Sequence, residues 1–184
     1  VIVSGDHSLE LTTRHSEIML LLACNRAGLS AERLSELLWG DATATQRLRA
    51  EMVRLRKILD KFQPGLAPES KPYRISDKLE VDAQQVVALL DRGAHRVALS
   101  AYKGDVLPCS TSPGVEAVRD EIAQHLRESI FNDGSLDLLL EFANSDRGIQ
   151  DVEIWHLILT LLPAKSPKRS HVLTHIESLE AAQV

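Results

Sequence analysis

The clearest pattern of apolar and polar positions lies in residues 43–61. Four apolar side chains recur there at spacings of four, three and four residues: Leu48, Met52, Leu55 and Leu59. Because 3.6 residues make one helical turn, these side chains share one face and predict an amphipathic helix. Thr43 and Gln46 have the spacing of a capping box, which predicts that the helix begins near Thr43.

The remaining faces of this helix are basic. Residues 45–61 hold six Lys or Arg against Glu51 and Asp60, a local net charge of +4. A cationic helix with one apolar side suits the major groove of DNA, with the apolar side packed on its own domain. Solvated surface helices share this pattern, so the stretch alone leaves both interpretations open.

A second, shorter helix is predicted immediately before it. Ser30 is a good N-cap for a helix that continues to Leu38, and residues 39–42 contain Gly40 and form a break. Two helices joined by a few residues that include glycine, the second longer and basic, are typical of a helix-turn-helix.

A β-hairpin is predicted after the basic helix. Residues 73–76 and 78–81 have the composition of two short strands with a polar turn between them. A hairpin in this place is a wing, from which Lys71 and Arg74 can contact phosphate or a minor groove. The alternative is that Tyr73 and Ile75 close the core while Arg74 makes a surface ion pair.

The fold class predicted for the whole chain is mainly α, with small β-hairpins. Short strands are expected at residues 1–3 and 9–11, followed by a helix capped by Thr13. After residue 82 the patterns predict only helices, whose successive pairs are typical of tetratricopeptide-like hairpins. The prediction is a winged-helix domain at 1–81 and a helical oligomerisation or interaction region at 82–184. These helices are expected at residues 83–92, 95–102, 115–128, 136–144, 151–162 and 170–182.

Charge differs between the two halves of the chain. The 184 residues carry a net charge of −5, which argues against a protein coated in nucleic acid. Residues 1–80 have 12 Lys or Arg and 11 Asp or Glu, whereas residues 81–184 have 9 and 15. This asymmetry favours a binding module attached to an acidic region.

Cysteine content and hydropathy predict a cytoplasmic protein. Cys24 and Cys109 are too few for a disulfide framework, and the apolar run before Cys24 predicts a buried free thiol. That run is too short to span a membrane, and no signal peptide is seen. The chain begins at Val1 instead of Met, so a fragment of a longer protein is expected.

The sequence contains no catalytic constellation, so an enzyme is not expected. It has no glycine-rich phosphate loop, nucleophile elbow or HExxH motif. His171 and His175 are four residues apart and can bind a metal on one helix face. No third ligand is evident, which favours a packing or surface role, and no cofactor or metal is expected.

Several motifs together resemble a known family. They are LTTRHSEI at 11–18, GLSAERLSELLWGD at 28–41, RLRKIL at 54–59, PYRI at 72–75 and ALSAYKGDVLP at 98–108. The first four resemble winged helices of the OmpR/PhoB type, and the last resembles the start of a bacterial transcriptional activator domain. The whole is similar to the C-terminal part of actinobacterial GAF-domain-containing transcriptional regulators, which implies a sensor domain preceding this chain.

The resemblance implies a recognition helix at about 43–61 in the major groove and a wing at about 70–81 on the backbone or minor groove. Arg54 is then the strongest candidate for a base contact, and Arg56 matches a position used for phosphate or internal pairing. The candidate DNA-binding residues are Thr45, Gln46, Arg47, Arg49, Arg54, Arg56, Lys57, Lys71 and Arg74.

Two positions depart from the family pattern. Glu51 stands where many relatives have a neutral or basic residue. It can accept from a cytosine amino group or pair with Arg47 or Arg54. Pro72 replaces the usual glycine before Tyr73, which affects the expected shape of the wing.

The sequence therefore predicts a transcription regulator that binds double-stranded DNA. A homodimer is expected, because one recognition helix buries little surface and many such proteins read paired half-sites. RNA polymerase and a sensor domain are the candidate partners of the helical region, and no membrane is expected to be involved. The alternative function is a winged-helix protein–protein interaction module that does not bind DNA.

Overall fold

A computed structural model describes residues 1–75 and 79–182. Helices account for 61% of the chain, and the described residues form nine of them beside a two-stranded sheet. The prediction of a mainly α chain is confirmed. Over the same residues, none of the helices has the length and apolar character needed to cross a membrane.

The helices follow the predicted order closely. Their bounds are α1 Thr13–Cys24, α2 Ala31–Trp39, α3 Thr45–Phe62, α4 Asp82–Asp91, α5 His95–Ala101, α6 Pro113–Asp133, α7 Leu136–Ala143, α8 Val152–Leu161 and α9 Lys168–Ala181.

The chain opens with an antiparallel hairpin of strands β1 (Ile2–Ser4) and β2 (His7–Leu9). Ile2 pairs with Leu9, and Gly5 in the turn has a φ of 56°. The second strand was predicted at 9–11 but begins at His7. The reason is that glycine tolerates positive φ, so two residues suffice for the turn.

Two compact units are present. The first comprises residues 1–85 and 102–122, and the second comprises residues 86–101 and those from 123 onwards. Helices α4 and α6 contribute residues to both units. The division into functional domains at residues 81 and 82 stays a prediction.

The core of the first unit is built from α1, α2 and α3. Every residue of α1 from Ile18 to Ala23 is buried, and Leu34 and Leu38 of α2 pack in the same cluster. The four apolar residues predicted to share one face of α3 are each at most 1% exposed: Leu48, Met52, Leu55 and Leu59. The amphipathic pattern of α3 therefore predicted its buried face correctly.

The N-terminal caps of α1 and α2 are formed by side-chain oxygens. Ser30 caps α2 as predicted, its hydroxyl accepting from the Arg33 N–H at 3.1 Å. Gly40 ends α2 in the left-handed conformation, with φ at 70°. For α1 the cap is Thr12, which accepts from the His15 N–H, so the prediction of Thr13 was wrong by one residue.

The predicted capping box of α3 is wrong. The helix begins at Thr45, and its N-cap residue Ala44 has no side chain able to accept a hydrogen bond. Thr43 instead donates its hydroxyl and its N–H to Asp41, at 2.6 and 2.8 Å. The hydroxyl bond and then the N–H bond lower the pKa of Asp41. Thr43 therefore bonds to the carboxylate of Asp41 and does not cap the helix.

The segment predicted as the first wing strand pairs with a different partner. Tyr73 and Leu29 exchange two backbone hydrogen bonds of 2.8 and 2.9 Å, and Glu69 forms a bridge with Arg74. Residues 76–78 of the predicted hairpin lie outside the described residues, and residues 79–81 have irregular backbone. Ile75 is buried, in line with a role in closing the core.

Both cysteines are exposed, so the prediction of a buried Cys24 is wrong. Cys24 is the last residue of α1, where the buried run of that helix has already ended. Desolvation by neighbouring groups, followed by the charge of Glu121, raises the pKa of its thiol. A raised pKa leaves the thiol largely protonated and weakly nucleophilic near neutral pH.

Candidate nucleic-acid interface

The side of α3 opposite its buried row is exposed and cationic. At about 100° of rotation per residue, Ala50 lies near the centre of this side and Asp60 at its edge, with longer side chains around them. We call six of these longer side chains the outer face: Gln46, Arg47, Val53, Arg54, Lys57 and Lys61. Each of the six is exposed. Packing of the opposite row against the core leaves this face directed at solvent.

Lys57 and Lys61 are the least constrained cations of the outer face. Neither has a hydrogen-bond or ion-pair partner among the described residues. Their ammonium groups can therefore approach a phosphate without first leaving a partner carboxylate.

Arg54 is paired, but weakly. Its guanidinium lies 2.8 Å from the Glu51 carboxylate, and the arginine side chain remains 65% exposed. The other oxygen of Glu51 lies 3.3 Å from Nε2 of the buried His15, close enough for an ion pair but not aligned as a hydrogen bond. Exposed pairs stabilise a fold by about 0–1 kcal/mol, so Arg54 can leave Glu51 at little cost.

Arg47 lies on an indole ring that the sequence analysis did not single out. Its guanidinium carbon is 4.6 Å from the centre of the Trp39 ring, and that of Arg14 is 5.0 Å from the same ring. Cation–π contacts of this kind restrict the rotamers of an arginine. The sequence did carry a signal for this contact, because Trp39 ends α2 and Arg47 lies in the first turn of α3.

Arg56 makes hydrogen bonds within the protein. Its Nε donates to the carbonyl oxygen of Pro68 at 3.0 Å, and its Nη2 donates to the Ser70 hydroxyl at 3.1 Å. Of the two roles expected for this position, the structure shows internal bonding. These bonds attach residues 68–70 to the flank of α3.

Replacing Arg56 with alanine is expected to lower the free energy of unfolding by about 1–2 kcal/mol. Two hydrogen bonds from a charged donor are lost, and the Pro68 carbonyl loses its partner. Urea unfolding followed by far-UV circular dichroism measures the change. Lys57→Ala is the matched control, because that exposed side chain should change stability by less than about 0.5 kcal/mol. Equal effects of the two variants would contradict the structural role of Arg56.

The remaining candidates lie apart from the outer face. Thr45 is the half-buried first residue of α3, and Arg49 is exposed on its flank. Arg74 forms a 2.7 Å ion pair with Glu69, the alternative considered for it. Lys71 is exposed, has a φ of 70° and lacks a partner within the described chain. The structure thus gathers Gln46, Arg47, Arg54 and Lys57 on one surface and places the other five candidates elsewhere.

Comparisons with known proteins give two similarities. The family model of the third C-terminal helical domain of YTH3-like proteins matches residues 135–183, which include α7, α8 and α9. An uncharacterized 47.3 kDa protein in the thcA 5' region of Rhodococcus erythropolis is 36% identical over 179 residues, covering 97% of this chain. This chain spans 40% of that relative. No solved structure matches.

Proposed function

We propose that this chain is a DNA-binding part of a transcription regulator, with the outer face of α3 in the major groove. The observation that carries the proposal is the geometry of α3. Four exposed cations, Arg47, Arg54, Lys57 and Lys61, lie opposite a fully buried apolar row. A helix that packs on its own domain through one face and is cationic on the other fits the major groove and complements its negative charge.

The cations of the outer face suit different contacts. Lys57 and Lys61 are flexible point charges suited to phosphate, which provides affinity without sequence preference. Arg54 has a planar fork that can donate two hydrogen bonds to O6 and N7 of guanine. Arg47, stacked on Trp39, starts from a restricted geometry near the first turn of the helix.

We further propose that the DNA-binding part is a winged helix of the OmpR/PhoB type. The sequence motifs and one structural feature support this. The backbone bonds between Tyr73 and Leu29 attach the proposed wing segment to the start of α2. Lys71, exposed in this segment, is its candidate phosphate contact. A GAF-type sensor domain, RNA polymerase contact, a homodimer and a cytoplasmic location belong to the same proposal.

Fluorescence anisotropy tests the function. A labelled duplex from upstream of the chain's own gene is titrated with protein beside a scrambled duplex, over a series of salt concentrations. Tighter binding to the upstream duplex, weakening steeply with salt, is expected, because each neutralised phosphate releases counterions. If the chain binds neither duplex at low salt, the DNA-binding proposal is wrong.

A second candidate function is a protein-interaction module. Val53 on the outer face is 54% exposed, and Ile58, on a flank of the same helix, is 36% exposed. Apolar side chains in this position favour contact with another protein more than with phosphate. Failure to bind DNA, combined with loss of a protein partner in Val53→Asp, would favour this function.

A further inference from the structure

Three uncharged residues follow one another along the exposed side of α3. At about 100° per residue, Gln46, Ala50 and Val53 lie within about 50° of the direction opposite the buried row. We call these three residues the central strip. All three are exposed, and Val53 is 54% exposed. The central strip therefore presents one amide and two apolar side chains to solvent.

Cations border the central strip on both sides. Arg47 and Arg54 lie on one side of it and Arg49 on the other, and each of them is exposed. Lys57 and Lys61 continue the exposed side towards the end of the helix. In a major groove the phosphates of the two strands border the base edges, and recognition helices contact those edges through their N-terminal residues. A strip flanked by cations at this end of the helix is therefore placed to face bases.

Both acidic residues of α3 lie away from the central strip. Glu51 lies about 110° from the middle of the exposed side. Its carboxylate is 2.8 Å from the guanidinium of Arg54 and 3.3 Å from Nε2 of His15. Asp60 is exposed at the edge of this side, about two turns beyond Val53. The bases that face the strip thus meet amide and apolar groups and no carboxylate.

The chemistry of the central strip matches A·T base pairs. The Gln46 side chain has no partner among the described residues, and its amide can bond both N6 and N7 of adenine. Apolar side chains contact the 5-methyl group of thymine, whereas the edges of guanine and cytosine offer hydrogen-bonding groups in this groove. Val53 would desolvate such groups without replacing their bonds to water, which costs free energy. Ala50 is small, so it lets the helix come close to the bases.

We propose that the central strip recognises A·T base pairs, with Val53 on the 5-methyl group of a thymine and Gln46 on an adenine. The inference rests on the proposed function of α3 and names the bases in its DNA site. A rise of about 1.5 Å per residue places Val53 about 10 Å beyond Gln46, which corresponds to about three base pairs along the groove. The expected site is a run of about three A·T pairs beside the guanine assigned to Arg54.

Selection from duplexes with a randomised centre identifies the bases. The whole chain is incubated with the library, and the bound duplexes are amplified and sequenced over several rounds. We expect adjacent A·T pairs next to a guanine. The selected duplex then serves as the labelled probe for fluorescence anisotropy.

Deoxyuridine isolates the methyl contact. Replacing every thymine of the selected duplex with deoxyuridine removes the 5-methyl groups and leaves the hydrogen-bonding pattern unchanged. The wild type is expected to bind this duplex about fivefold more weakly, because a buried methyl group contributes roughly as much as one buried methylene. In Val53→Ala the same replacement should change Kd less than about twofold.

Ile58→Ala is the matched control for Val53→Ala. Ile58 is an apolar residue of the same helix and is 36% exposed, but it lies about 90° from the middle of the exposed side. This variant should bind the thymine duplex as the wild type does and retain the full effect of deoxyuridine. Far-UV circular dichroism checks that both variants remain folded.

7-Deazaadenine isolates the contact of Gln46. This base pairs with thymine as adenine does but lacks the N7 acceptor to which the glutamine amide donates. The wild type should bind a duplex containing it about fivefold more weakly, whereas Gln46→Ala should show less than about a twofold change. An equal effect on the two proteins would contradict the adenine contact.

Three other results would overturn the inference while leaving DNA binding by α3 in place. They are a selected site without A·T pairs, a wild-type Kd that deoxyuridine does not change, and an effect of deoxyuridine as large in Val53→Ala as in the wild type. The last would assign the effect to the shape of the DNA or to another residue. Failure to enrich any duplex, together with no binding at low salt, would instead overturn the proposed function itself.

Discussion

Arg54→Ala is expected to weaken binding of the upstream duplex by about 1–3 kcal/mol, roughly a 5- to 150-fold increase in Kd. Arg54 is 65% exposed on the outer face, and Glu51 is its only ion-pair partner among the described residues, so its guanidinium can turn towards a base. Loss of a bidentate contact to guanine lowers the affinity for DNA and also the preference for guanine over other bases at that position. The scrambled duplex should therefore lose much less affinity than the upstream duplex. Fluorescence anisotropy at fixed salt measures both.

Arg33→Ala is the matched control for this variant. Arg33 is an exposed arginine of α2 that forms an ion pair with Glu36 three residues away, at 2.6 Å. Its removal breaks the same kind of surface pair but leaves the outer face of α3 unchanged. Equal loss of DNA affinity in the two variants would assign binding to net charge alone. If the wild type binds the upstream duplex tightly and Arg54→Ala binds it equally well, Arg54 does not make the base contact.

Leu55→Ala is expected to lower the free energy of unfolding by about 2–5 kcal/mol. Leu55 is 0% exposed and lies in the middle of the buried row of α3, in the apolar cluster that joins α1, α2 and α3. Truncation removes buried methyl groups and leaves a cavity whose lining loses dispersion contacts. Urea unfolding followed by circular dichroism measures the loss.

Val53→Ala is the control for Leu55→Ala. It removes methyl groups from the same helix two residues earlier, but its side chain is 54% exposed and its loss should change stability by less than about 0.5 kcal/mol. If the two variants unfold alike, the assignment of buried and exposed faces in α3 is wrong. The pair of variants thus tests the helix orientation on which the DNA-binding proposal depends.

Patterns within single helices predicted much of this architecture. The spacing of Leu48, Met52, Leu55 and Leu59 identified the buried face of α3, because helical periodicity depends only on residues close along the chain. Ser30 and Gly40 identified the start and end of α2 for the same reason. The exposed outer face followed directly, since it is the complement of the buried row.

Predictions that depended on competing partners were less successful. Thr43 had the spacing of a capping box, yet Asp41 accepts both of its donors. Tyr73 pairs with Leu29, which lies 44 residues earlier in the chain. The first competitor is local, since Asp41 lies two residues before Thr43 and can form a turn with it in place of the capping box. The second is not, because only folding brings Leu29 beside Tyr73.

The amino-acid sequence determined the helices, their buried faces and the excess of positive charge on α3. Tertiary structure decided how each cation is used: Arg56 binds the Pro68 carbonyl, Arg47 stacks on Trp39, and Lys57 stays without a partner among the described residues. The physical reason is range. Helix periodicity and capping act over a few residues, whereas the partner of a long charged side chain depends on which distant segment packs beside it.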